Sequence, residues 1–342
     1  MNRIAAQSGI FGAAMAAVAA LSVEAEIAPI PISPTGVSED RLPQPVVDLG
    51  GVEVRTDVTY ASILGYRPLR MDVYSVPGAG PRPAIVFVHG GAWSFGIKRA
   101  TDAYADFPGL LADLARQGFV VAAVEYRLSG EAPFPAAAQD IKAAVRFLRK
   151  NAGEFGVDPG RMGVWGGSAG AHLAGLAAMS CDAPDLQPEV AELADVSDCV
   201  QAFVGWYGPY DIDTMLARTL AISTSGAEMS PSDKASIEGG FTFFGCSDGI
   251  CPEGLGATAS PLLRVDPTDP PALLIHGTAD TLVPFSQSEA MLAALRAAGV
   301  PVDLILIDGV GHGWVTDDVA LRTAASRQAA EATISWFIET LQ

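Results

Sequence analysis

Residues Arg161 to Ala174 constrain this chain more than any other stretch. Met162 to Trp165 reads as a short strand, Ala169 to Ala174 as the start of an alanine-rich helix, and the turn between them carries Gly166-x-Ser168-x-Gly170. A serine at the tip of a strand-to-helix turn sits in a strained backbone conformation with its hydroxyl clear of the sheet. Glycines two residues either side remove Cβ atoms that would collide there. The following helix aims its first amides at the hydroxyl. The pattern is that of a nucleophile elbow, and it needs a buried strand before it, a helix after it and partners elsewhere in the chain.

Strand-like and helix-like segments alternate on both sides of this turn. Arg55–Ala61 and Pro68–Tyr74 read as an antiparallel pair at a sheet edge, and Ala84–Val88 as a strand buried on both faces. A helix over Leu110–Gln117, a strand over Phe119–Val124 and a helix over Ala136–Asn151 precede the elbow. Strands at Ala202–Trp206, Ala272–Ile275 and Val302–Ile307 follow, with helices at Ser286–Ala298 and Asp318–Leu341. Such alternation predicts a mostly parallel, eight-stranded sheet with helices on both faces. It breaks between Asp211 and Ser260, an interval rich in Gly, Ser and aromatics that is too long for a plain connection. That interval, 211–260, is expected to be a lid insertion, because Phe241, Phe243 and Phe244 need cover.

The termini and the cysteines speak to location. Arg3, the apolar run Ile10–Leu21 and the small residues before a cleavage point after Ala25 read as a signal peptide over 1–25. The run is shorter than the roughly 20 residues that a spanning helix needs, so no membrane span is expected. Residues 26–50 hold five prolines and read as an extended leader, followed by the main domain over 51–342. Four cysteines in an exported chain suggest disulfides; of the three possible pairings, sequence proximity favours Cys181 with Cys199 and Cys246 with Cys251. CxxC spacing is absent and no histidine lies near them in sequence, so no metal is expected. A net charge of −18 argues against nucleic acid as a partner.

A serine hydroxyl becomes a nucleophile when a base takes its proton and a carboxylate fixes the base's tautomer. The chain has four histidines. His312, in the glycine-flanked loop Gly309 to Trp314 after the last strand, is best placed to reach across the strand ends. His89, His172 and His276 read as loop or core residues. Asp280 follows the strand that ends at His276 and lies between Ser168 and His312 in sequence, the order this turn type calls for. Asp308 is the runner-up, and Asp303 falls at the wrong end of its strand. Gly91 and Ala92, in the loop His89 to Trp93 after a buried strand, together with Ala169, offer backbone amides for a developing oxyanion. Trp93, Tyr207 and Trp314 are candidates for lining a substrate pocket, with core packing as the alternative.

These stretches resemble the α/β-hydrolases of the esterase/lipase superfamily related to hormone-sensitive lipase, and most of all the bacterial feruloyl- and acetyl-xylan-esterase-like carboxylesterases. The likeness rests on His89–Trp93, Glu125–Leu128, Gly166–Ala174, Tyr207–Asp211, Ala259–Pro261, Pro270–Asp280 and Gly309–Trp314. It implies the α/β-hydrolase fold, Ser168 as nucleophile, Asp280 as acid and His312 as base, the 89–92 loop as oxyanion hole, no cofactor, and a small-molecule ester as substrate. Where that family often has a third glycine after the histidine, this chain has Ala92, which still donates its amide. An arylformamidase or amidase of the same fold, a serine exopeptidase and a non-catalytic binding module are the alternative readings.

Overall fold

The computed structural model describes residues 45–342 apart from 79, 102, 225–230 and 248–249, and apart from the side chains of 231–233. The proposed signal peptide and most of the proline-rich leader lie outside the described residues. In chain order the elements are β1 (Val46–Asp48), β2 (Glu53–Ala61), β3 (Leu69–Ser75), β4 (Arg82–Val88), α1 (Phe107–Arg116), β5 (Val120–Val124), α2 (Ala136–Lys150), α3 (Ala152–Phe155), β6 (Val157–Gly167) and α4 (Ala169–Ala178). There follow β7 (Ala202–Trp206), α5 (Ile212–Thr224), α6 (Pro231–Phe243), α7 (Leu255–Ala259), β8 (Ala272–Gly277), α8 (Ser286–Ala298), β9 (Val302–Ile307) and α9 (Val319–Leu341).

The strands form one sheet in the order β1-β2-β3-β5-β4-β6-β7-β8-β9, antiparallel from β1 to β5 and parallel from β5 to β9. Among the described residues it has nine strands where eight were expected. The extra one, β1, lies in the segment read as leader. Val46 and Val47 are exposed, so no burial pattern betrays the strand; backbone pairing with β2, Val46 opposite Arg55, holds it.

The central strands are buried on both faces because each alternates between two cores. Ala84, Val86 and Val88 of β4 face the core shared with α2, α4 and α8, whereas Ile85 and Phe87 face the core shared with α1 and α9. Two helical layers therefore sandwich the sheet, as the alternation predicted. The interval 211–260 holds α5, α6 and α7 rather than loop, and Phe243 and Phe244 are buried against the core. Cys181 with Cys199 and Cys246 with Cys251 stand at disulfide-bonding distance, their Cα atoms 4.5 and 4.1 Å apart. Bridged cysteines fit a non-cytoplasmic protein. No helix among the described residues is long and apolar enough to cross a membrane.

Candidate active site

The site gathers at the carboxyl ends of the parallel strands, where loops are free to carry chemistry. Strand β6 delivers Ser168 directly into α4, and the serine has φ +56° and ψ −124°, a conformation an L-residue adopts only under strain. Its amide donates to Trp206 O at 2.9 Å and its carbonyl accepts from His172 N at 3.0 Å, so strand and helix hold the turn from both sides. Gly170 is required by the neighbouring strand: a Cβ there would overlap the carbonyl oxygens of Val88 and His89.

Three side chains singled out by the sequence converge here. His312 Nε2 lies 2.8 Å from Ser168 Oγ, and His312 Nδ1 lies 2.8 Å from Asp280 Oδ2. An ionised carboxylate only accepts, so Nδ1 carries the proton and Nε2 presents a lone pair to the serine hydroxyl. Asp280 Oδ1 accepts from the amides of Leu282 and Val283 at 3.0 and 2.8 Å. Burial alone would push this carboxyl up, but hydrogen bonds from His276 and His312 outweigh it and hold it at about 2. Asp308, the rival, is exposed and accepts instead from Thr278 Oγ1 at 2.8 Å.

The amides of Gly91, Ala92 and Ala169 have no acceptor among the described residues. Gly91 adopts φ +112°, and a side chain there would strike Phe95 O. Ala92 and Trp93 also take positive φ, +48° and +58°, so the loop is wound tightly. Nearly buried Lys98, with Nζ 2.8 Å from Asp57 Oδ1, anchors the far end of the loop.

The other histidines are structural. The His89 ring is buried, stacks on Tyr126 and donates from Nδ1 to Gly90 O at 2.8 Å. His172 is fully buried, receives Trp93 Nε1–H on Nδ1 at 3.1 Å and donates from Nε2 to Ala259 O at 2.7 Å. Both nitrogens of His276 are also occupied.

Two clefts meet at Ser168. One is a narrow cavity of about 70 Å³, walled largely by the 211–260 interval through Ile212, Met215, Leu216, Ile237 and Phe244, with Trp93 across from them. The other is an open cleft of about 650 Å³ containing His312 and Tyr207, with exposed Phe95, Ile97 and Val315 among its lining residues. Of the three aromatic candidates, Trp93 and Tyr207 face these clefts. Trp314 lines neither. It is fully buried between Trp206 and Tyr207, at ring separations of 5.7 and 4.8 Å, so its place is in the core. An aromatic close to a histidine in sequence is no sign that it faces the substrate. The narrow cavity's aliphatic residues were missed because they sit on helices whose apolar positions read like ordinary packing.

Comparison with known proteins agrees with this geometry. Residues 71–295 match the BD-FAE family, and 253–342 match the prolyl oligopeptidase family. The chain is 34% identical to Esterase LipQ of Mycobacterium tuberculosis over 281 residues, which cover 81% of this chain and 60% of LipQ. It is 28% identical to Isoprenylcysteine alpha-carbonyl methylesterase ICME of Arabidopsis thaliana over 270 residues, 76% of this chain and 56% of ICME. The chain thus spans little more than half the length of these curated relatives. Among solved structures, a truncated carbohydrate esterase from gut microbiota superposes with a TM-score of 0.66 at 26% identity, over 89% of this chain and 98% of that one. With strand order, strained serine turn and sequence match all in agreement, the chain belongs to the BD-FAE family and has the α/β-hydrolase fold.

Proposed function

We propose that this protein is a serine carboxylesterase that hydrolyses small to medium carboxylic esters through an acyl-enzyme. The observation that carries the reading is the hydrogen-bonded run Ser168–His312–Asp280, with both links at 2.8 Å, beside three amides that have no acceptor among the described residues. Ser168 Oγ attacks the ester carbonyl while His312 Nε2 takes its proton. The carbonyl oxygen becomes an oxyanion that accepts hydrogen bonds from the amides of Gly91, Ala92 and Ala169; one such donor contributes about 3–4 kcal/mol in comparable sites. The imidazolium, steadied by Asp280, returns the proton to the departing alkoxide, and the alcohol leaves. His312 then deprotonates a water that attacks the acyl-enzyme. The second tetrahedral intermediate collapses to the carboxylic acid and restores Ser168 Oγ–H.

The two clefts divide the ester between them. The narrow apolar cavity suits a short acyl group, and the open cleft suits the alcohol half. The solved neighbours include a Thermogutta terrifontis esterase with propionate bound, 25% identical with a TM-score of 0.63 over 85% of this chain and 94% of that one, which is in keeping with a short acyl chain. The interval 211–260 acts as the lid that walls off the acyl side. Export is the proposed fate, on the cysteine pairs and the apolar N-terminal run together.

The test is a panel of p-nitrophenyl esters from acetate to decanoate, methyl ferulate, N-formylkynurenine and a chromogenic peptide, with Ser168→Ala as control. Ester turnover that vanishes in the variant, with an optimum at acetate to butyrate, is the expected result. Formyl-amide or peptide turnover above every ester would transfer the protein to the amidase or peptidase class. Activity surviving in Ser168→Ala would refute the serine mechanism.

A further inference from the structure

We propose that His276 is a positioning residue of the triad: a second histidine that holds the Asp280 carboxylate, and the turn following it, from inside the sheet. The inference rests on the esterase reading above. His276 sits in β8, fully buried in a strand that is otherwise apolar. Its Nε2 lies 2.8 Å from Val283 O and 3.3 Å from Asp280 Oδ2, so both neighbours are acceptors and Nε2 carries a proton that they share. Its Nδ1 is therefore the unprotonated nitrogen, and the hydroxyl of fully buried Ser288, in the first turn of α8, donates to it at 2.7 Å. Two partners on opposite sides of the ring fix one tautomer.

The consequence falls on Asp280. Oδ1 takes the amides of Leu282 and Val283, and Oδ2 takes Nδ1 of His312 at 2.8 Å, with Nε2 of His276, whose shorter bond is to Val283 O, 3.3 Å away on its other side. His312 sits in a short turn after β9, whereas His276 is built into β8, which is hydrogen-bonded to strands on both sides, so His276 supplies the rigid side of the grip. The turn it holds also brings Leu282 and Val283 to the narrow cavity beside Ser168. One buried imidazole thus sets the direction in which the carboxylate faces His312 and the position of two cavity residues.

The experiment uses the full chain with three variants, His276→Gln, His276→Asn and Ser288→Ala, assayed on p-nitrophenyl butyrate, with thermal unfolding and proton NMR of the downfield His312 Nδ1 proton. Glutamine places its amide nitrogen where Nε2 was and rescues the hold on Val283 O and Asp280. Asparagine reaches only the Ser288 side. The expected result is that His276→Asn lowers kcat about 10- to 100-fold, with KM changed far less, and moves the downfield resonance. Glutamine keeps kcat within about 3-fold, although both variants unfold at similarly lowered temperatures. If His276→Asn does not fold, Ser288→Ala carries the test, because it frees the tautomer without emptying the core; an intermediate loss of kcat is expected. Equal losses in Gln and Asn that follow stability alone, with an unmoved His312 resonance, would overturn the proposal. An unchanged kcat in Ser288→Ala would do the same if it is the only variant to fold. Failure of the esterase reading shows separately, as activity that persists in Ser168→Ala.

Discussion

Trp93 Nε1 donates to His172 Nδ1 at 3.1 Å, and this bond ties the loop carrying the candidate oxyanion amides to the helix that starts at the candidate nucleophile. Trp93 itself has φ +58°, and its ring stacks on Phe243 with 6° between the planes. The loop is therefore pinned by a buried hydrogen bond and by α6 at once. Trp93→Phe keeps the apolar body and removes the donor, leaving His172 Nδ1 unpaired in a dry core. That costs about 1–3 kcal/mol of stability. Because the freed loop no longer presents Gly91 and Ala92 in register, kcat on short esters is expected to fall about 10-fold or more. Steady-state kinetics and thermal unfolding of the variant check this; a lowered melting temperature with undiminished kcat would show that the loop holds itself.

On the proposed division of the two clefts, the acyl preference is set by side chains contributed from α5 and α6. Leu216 and Ile237 line the narrow cavity and are only partly buried, so shortening them enlarges the cavity with little damage to the core. Leu216→Ala and Ile237→Ala are expected to move the p-nitrophenyl ester optimum toward hexanoate and octanoate. The ratio of kcat/KM for octanoate over acetate should rise about 10-fold, since each methylene accommodated is worth roughly 1 kcal/mol or more. An unchanged ratio in both variants would place the acyl group in the open cleft instead.

Much of this was legible in the sequence because the informative elements are buried on both sides or punctuated by glycine. Ala84–Val88 and Ala202–Trp206 read as buried strands, and the glycines around Ser168, set between a strand and a helix, read as a sharp turn. What escaped carries no such mark. Strand β1 exposes its side chains and is held by backbone pairing, and the 211–260 helices hide a cavity wall inside ordinary amphipathic spacing. Trp314 was drawn toward the site by its nearness to His312, although its indole packs into the core. The structural histidines did leave a signal. His172 and His276 each sit alone in an apolar run, and an imidazole there has to find partners for both nitrogens.

That same burial makes stability depend on pH. Burial outweighs the hydrogen bond that each ring makes to a carbonyl and pulls His89 and His172 down to about 4 from an ordinary 6.5. Below pH 6.5 the unfolded chain takes up protons that the folded chain refuses until about 4. Their contribution is complete above the unfolded value and is lost as pH falls through that window, by up to about 3 kcal/mol for each ring. Asp280, held at about 2 against 3.8, has the same sign and adds its loss only in more acid solution. Asp269, pushed up to about 6 by burial, has the opposite sign below about pH 6. The readout is therefore the difference between wild type and a variant lacking His89: in urea titrations from about pH 7.5 to pH 4 the variant should lose less unfolding free energy than the wild type. A variant that loses as much as the wild type would mean that the His89 ring does not stay neutral in the fold.

The choice between Asp280 and Asp308 as the acid can be settled by one pair of substitutions. In Asp280→Asn the carboxamide oxygen keeps the amides of Leu282 and Val283, because those two donors already fix that side. Its NH2 group is then left facing His312 Nδ1 where the carboxylate oxygen had accepted at 2.8 Å. The imidazole has to turn an acceptor toward it and carry its proton on Nε2, the nitrogen that should receive the proton of Ser168. The base is thereby held in the wrong tautomer, and kcat is expected to fall about 10³- to 10⁴-fold with the fold retained. Asp308→Asn alters an exposed contact with Thr278 and should leave kcat within about 2-fold. Parallel kinetics and circular dichroism decide the matter: a large loss in Asp308→Asn with Asp280→Asn active would transfer the acid to the end of β9.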